Sequence, residues 1–116
     1  MSTTFNEFTY FNGVKFTGRA QFDYSTFNWA SDFSNNHFND AAQFDDTKFY
    51  KETQFNNVVF RSVAEFCKTE FHNETQFNNA TFNEDALFEK ATFKDKVEFK
   101  DHTQFNENAS FRDATL

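Results

Sequence analysis

Residues 53–79 read TQFNNVVFRSVAEFCKTEFHNETQFNN, and the spacing of phenylalanine within them decides the fold. Phe55, Phe60, Phe66, Phe71 and Phe77 are separated by 5, 6, 5 and 6 residues. The same alternation runs outward in both directions. It passes through Phe5, Phe11, Phe16, Phe22, Phe27, Phe33, Phe38, Phe44 and Phe49 on one side and Phe82, Phe88, Phe93 and Phe99 on the other. One extra residue then enters before Phe105, after which Phe111 and Leu116 resume the gaps of 6 and 5. Of 21 phenylalanines in 116 residues, Phe8 alone stands outside the series. Leu occurs twice and Ile never, so the usual mixed aliphatic core is excluded.

A second regularity sits two residues before each of these positions. It is occupied by Thr3, Thr9, Val14, Ala20, Ser25, Ser31, Asn36, Ala42, Thr47, Thr53, Val58, Ala64 and their successors, all small or β-branched except Asn36. Residues i and i−2 of an extended strand share a face, so each unit presents one large and one small side chain to the same side. The intervening positions are mostly Asn, Gln, Asp, Glu, Lys and Ser and suit the outside. A helix would carry its stripe at i, i+3, i+4 and i+7. Gaps of 5 and 6 would wander around its axis. Short extended sides joined by tight corners, coiling around a phenylalanine-filled axis, fit the pattern.

The unit of a small residue, a polar residue, Phe and two polar residues resembles the pentapeptide repeat. TQFNN at 53–57 and at 75–79 and ATFNE at 80–84 are close instances. The resemblance implies an all-β, right-handed quadrilateral β-helix with four sides per coil, in a Phe-rich form where two sides take 11 residues. Four sides of 5+6+5+6 then give coils of 22 residues. The sequence tests this internally: AQFD at 20–23 recurs at 42–45, and ETQFNN at 52–57 recurs at 74–79. Just over five such coils, spaced by about 4.8 Å, form a rod of about 25 Å. A left-handed hexapeptide β-helix would need a strict period of 6, which the gaps of 5 contradict. The whole chain, 1–116, reads as one domain, with residues 1–10 as an N-terminal cap in which Phe8 folds back over the first Phe layer. No such cap is visible at the C-terminus, so a homodimer paired end to end through the C-terminal coil is expected.

Catalytic machinery is not expected. His37, His72 and His102 fall on different sides and all face outward, and Cys67 is a lone thiol with no CxxC partner. Asp23, Asp45 and Glu89 share one vertical column interrupted by Cys67, but a flat face does not supply the six or more converging oxygens of a calcium site. Gly13 and Gly18 lie near corners in the first coil and form no phosphate-binding loop. No cofactor or metal is expected. No apolar run approaches the 18 or so residues of a membrane span, the N-terminus carries no signal-like segment, and a cytoplasmic location is the simplest.

The net charge of −7, from 18 acids and 11 bases, disfavours direct nucleic-acid or anionic-membrane contact and permits a basic partner. Five acids and no Lys or Arg lie between Ala20 and Thr47. Some pentapeptide-repeat proteins imitate DNA and bind type II topoisomerases, so an acidic gyrase inhibitor or protector is the alternative reading. Its charge density is against it. B-DNA carries one charge per about 1.7 Å, and seven net charges over about 25 Å give roughly half that. Lys90, Lys94, Lys96 and Lys100 are balanced by Glu89, Asp95, Glu98 and Asp101, as in a solvated mixed-charge face. The remaining feature is a set of outward aromatics, Tyr10, Tyr24, Trp29 and Tyr50. Phe8, Trp29 and Tyr50 are spaced by 21, which makes a diagonal stripe of neighbours about 6 Å apart near the first corner. The expected function is a non-enzymatic structural and protein-interaction module, with Phe8, Trp29 and Tyr50 as the partner-binding residues.

Overall fold

A computed structural model describes residues 2–116. Twenty two-residue strands form four five-stranded parallel sheets, and each sheet is made of every fourth strand of the chain. Side 1 holds Thr4–Phe5, Thr26–Phe27, Lys48–Phe49, Glu70–Phe71 and Thr92–Phe93. Side 2 runs from Thr9–Tyr10 to Val97–Glu98, side 3 from Lys15–Phe16 to Gln104–Phe105, and side 4 from Ala20–Gln21 to Ala109–Ser110. The register advances by 22 residues, as in Thr53↔Thr75 and Ala42↔Ala64. It becomes 23 only beyond the extra residue, as in Thr81↔Gln104 and Ala86↔Ala109. The extra residue is taken up at one corner. Asp101 keeps the backbone conformation of Asn79, Thr103 takes the inward slot with its Oγ1 donating to Phe77 O at 2.9 Å, and His102 is the residue left over. The principal extents of 33 × 30 × 27 Å make a block about as wide as it is tall, so the rod of the sequence reading is a short one.

Twelve phenylalanines, from Phe27 to Phe88, are fully buried. Within a side the rings stack face to face at the coil spacing, as in Phe44–Phe66 at 5.0 Å and 1°. Across the axis, rings of sides 2 and 4 meet edge to face: Phe33–Phe44 at 5.5 Å and 86°, Phe44–Phe55 at 5.5 Å and 87°, Phe55–Phe66 at 5.4 Å and 86°. The result is a continuous zipper in which both favoured aromatic geometries are used at once, each pair contributing about 0.5–1.5 kcal/mol beyond its buried area. The small inward residues leave room for it. Ala42, Ala64 and Ala86 are fully buried, and the inward threonines satisfy their hydroxyls on the backbone. Thr47 Oγ1 donates to Phe22 O at 2.8 Å and Thr69 Oγ1 to Phe44 O at 2.6 Å. The exception, Asn36, is also buried; its Oδ1 accepts the Val14 N–H at 2.7 Å.

The corners explain the alternation of 5 and 6. A left-handed residue recurs at Gly13, Tyr24, Asn35, Asp46, Asn57, Lys68, Asn79, Lys90, Asp101 and Asp113, with φ between 56° and 73°. Each lies two residues after a Phe, in a gap of five for all but Asp101, whose interval carries the extra residue. Where the turn closes, as in Ser25 N–H to Phe22 O at 3.2 Å, positive φ at the third residue is the requirement of a type II turn. The regularly alternating gaps of six contain no such residue and use the added length instead; Gly18, in one of them, is not among the left-handed residues. Asn, Asp and Gly tolerate this conformation, whereas for other residues it costs about 1–2 kcal/mol. Lys68→Asn is therefore expected to stabilise the protein by about 0.5–1 kcal/mol, and Asn57→Val to destabilise it by about 1–2 kcal/mol. Urea titration of the two variants checks both signs.

The expected N-terminal cap is not formed by Phe8. Its ring stacks on Tyr10 at 5.9 Å and is 57% exposed, while Phe5, Phe11, Phe16 and Phe22 are only partly buried. The reason is alternation: Thr9 points inward, so the residue before it points out. At the other end Phe99 and Phe111 are likewise partly buried and Phe105 is 36% exposed.

Candidate functional site

The exposed large hydrophobic residues are Phe8, Tyr10, Tyr24, Trp29 and Tyr50 in the first coils and Phe105 and Leu116 in the last. Four of the first five flank the corner between sides 1 and 2. Phe8, Trp29 and Tyr50 do not form the contiguous stripe that a step of 21 residues suggests. Phe8 stacks on Tyr10, Tyr50 lies against His72 at 4.5 Å, and Trp29 pairs with neither. They occupy three successive positions of a corner, where the chain changes direction.

The same corner carries a notch that the spacing of aromatics alone does not reveal. Thr9↔Ser31↔Thr53 and Tyr10↔Asp32↔Gln54 are stacked in register. One position earlier the column reads Phe8, Ala30, Glu52. The small Ala30 and Ser31 of the second coil lie between larger side chains above and below. The depression, about 270 Å³, is lined by Phe8, Ala30, Ser31, Asp32, Glu52 and Gln54. Reading the columns at a spacing of 22 for small residues, and not only for repeats, would have found it.

The acidic column lies at the corner between sides 4 and 1. Asp23 Oδ1 accepts the Asp45 N–H at 2.9 Å, and Asp45 Oδ1 accepts the Cys67 N–H at 2.7 Å. Each carboxylate thus satisfies a backbone donor of the next coil. Burial pushes the Asp45 carboxyl up to about 6, with the nearby Glu65 and Asp46 charges adding to it and the Cys67 N–H opposing. Asp23 is raised for the same first reason. At the opposite corner Ser34, Asn56 and Asn78 do this work uncharged, Asn56 Oδ1 accepting the Asn78 N–H at 3.0 Å and Asn78 Oδ1 the Lys100 N–H at 2.9 Å. Next to them Asn79 Nδ2 donates to Asn57 Oδ1 of the preceding coil at 2.6 Å.

Cys67 is half-buried in a depression of about 180 Å³ with Lys68, Glu89, Lys90 and Arg112. Burial, then the Asp45 charge, pushes its thiol up, which opposes nucleophilic use at neutral pH. His72 is bound to Glu70 at 2.9 Å and lies tilted against Tyr50, so it does not pair with Cys67. His37 and His102 are exposed. Among the described residues no group of three or more His, Cys, Asp or Glu is arranged to hold a metal ion. Within the mixed-charge face, Glu98 binds Lys96 at 3.1 Å and Lys100 at 3.2 Å. A hydrogen bond from Asn78 and these two cations hold its carboxyl down at about 2. No helix among the described residues is long and apolar enough to cross a membrane.

No curated protein and no solved structure matches the chain. A family model described as pentapeptide repeats (9 copies) matches residues 55–101. The same four-sided coil continues in register on both sides of that stretch, from Thr4 to Thr115. By repeat and by fold, a right-handed quadrilateral β-helix, the chain is similar to the pentapeptide repeat family over the matched residues, and the same coil extends beyond them.

Proposed function

We propose that this protein is a non-enzymatic structural and protein-interaction module whose partner engages the aromatics around the first corner, Phe8, Trp29 and Tyr50. The observation that carries the reading is their exposure on a rigid support: Trp29 is 58% exposed and Phe8 57%. Trp, Tyr and Phe are enriched at protein contact surfaces relative to the rest of the surface. Trp29→Ser is expected to abolish capture of a specific partner while changing stability by less than about 0.5 kcal/mol, as for other exposed side chains. Retention of the same partner by this variant, at wild-type affinity, would rule the patch out.

A second copy is a further partner. The partly exposed Phe99, Phe105 and Phe111 support end-to-end pairing through the last coil. Light scattering is expected to give twice the monomer mass, and a monomer at high concentration would overturn it. Imitation of DNA is the lesser reading, because acids and bases share faces, as Glu98 does with Lys96 and Lys100 and Glu89 with Arg112. Inhibition of a type II topoisomerase in a supercoiling assay would reverse that order.

A further inference from the structure

The notch between Phe8 and Glu52 has a chemistry of its own. One wall is aromatic, the ring of Phe8, which is backed by its stacking on Tyr10. The other is acidic, with Asp32 and Glu52 in the lining. One oxygen of Asp32 accepts the Ser34 N–H at 2.8 Å, and among the described residues neither Asp32 nor Glu52 has a cation within ion-pair distance. The notch spans two coil steps, about 10 Å, the width of one long side chain with its head group.

We propose that this notch docks an arginine-bearing basic segment of a partner protein, its guanidinium lying on the Phe8 ring and pairing with Asp32 and Glu52. The proposal rests on the interaction reading above and names the partner's chemistry. Arginine fits better than lysine because a planar, weakly hydrated guanidinium stacks on a ring and offers its fork to carboxylates at the same time. An anionic nucleic acid or lipid surface would meet uncompensated carboxylates here.

The probe is a blocked hexa-arginine peptide, titrated calorimetrically into the full chain at physiological salt, with hexa-lysine as comparison. Saturable one-site binding is expected, weaker for hexa-lysine. Phe8→Ala is expected to lower hexa-arginine affinity about fivefold and the pair Asp32→Asn with Glu52→Gln about tenfold or more. The control pair Glu84→Gln with Glu107→Gln removes the same charge from the diagonally opposite corner, where both residues are exposed, and is expected to change affinity less than about twofold. Equal weakening by the control pair, equal affinity for the two peptides, or no saturable binding would overturn the proposal. Thermal melts of each variant verify the fold. The broader reading separates cleanly. If Trp29→Ser loses a captured partner that the Asp32/Glu52 pair variant keeps, the interaction module stands and the arginine notch falls. If both variants keep it, both fall.

Discussion

Phe55→Ala is expected to destabilise the protein by about 3–5 kcal/mol, the cost of deleting a buried aromatic ring from a core that cannot collapse around the void. Phe55 is fully buried and touches rings in every direction. It stacks on Phe33 at 5.0 Å and Phe77 at 4.9 Å, and meets Phe44 at 5.5 Å and Phe66 at 5.4 Å edge to face. Its neighbours are held by backbone ladders at the coil spacing, so they cannot slide together to fill the space. Phe105 is the natural comparison. It is 36% exposed and stacks on one side only, on Phe82 at 4.8 Å, so Phe105→Ala is expected to cost about 1 kcal/mol. Stability of a solenoid is close to a sum over coils and their interfaces, and the ends contribute least. Urea unfolding followed by circular dichroism measures both variants. Equal losses would show that the central zipper is not the main source of stability.

Asp45→Asn is expected to stabilise the protein at neutral pH and to remove most of an acid-side rise in stability. The folded-state value of about 6 lies above the ordinary 3.8, so the folded protein holds this proton more tightly than the unfolded chain. The associated stability is fully present below about pH 4 and is lost as pH rises through about 6. The full difference corresponds to about 3 kcal/mol, and solvent screening of a half-exposed carboxylate reduces it to about 1–2 kcal/mol. Asparagine keeps the acceptor for the Cys67 N–H and removes the charge, as Asn56 and Asn78 do at the other corner. The melting temperature at pH 7 is expected to rise by about 5 °C and to be unchanged at pH 4. A variant less stable than wild type at pH 7 would show that the carboxylate is needed as a charge. Glu98 acts in the opposite sense: held at about 2, it favours the fold above the ordinary carboxylate range and ceases to do so as pH falls through its own value.

The phenylalanine gaps, the inward small residues and the recurrence at 22 made the coil, its sides and its contents readable without coordinates. Three things were not. The cause of the alternating gaps lay in backbone conformation, although Gly13, Asn35, Asp46, Asn57 and Asn79, each two residues after a Phe, carried the signal. Phe8 read as a cap because it is close in sequence to Phe5, but alternation past the inward Thr9 sends it outside. The notch required comparing Phe8, Ala30 and Glu52 by size as well as by type. Corners are where such reading weakens, since a side chain's direction there depends on torsions that no period of 2 describes.

The left-handed corners also bear on how a chain of this kind can grow. Duplicating 22 residues adds one layer and leaves every surface column intact, so a binding face is lengthened without being rewritten. Duplicating 11 satisfies the interior equally well, because both halves of a coil carry the same inward pattern. It would, however, turn all later surface residues half a revolution, setting the carboxylates of one corner above the amides of the other. The interior therefore imposes one arithmetic and the exterior a coarser one, and only the second records which changes of length an ancestral surface survived.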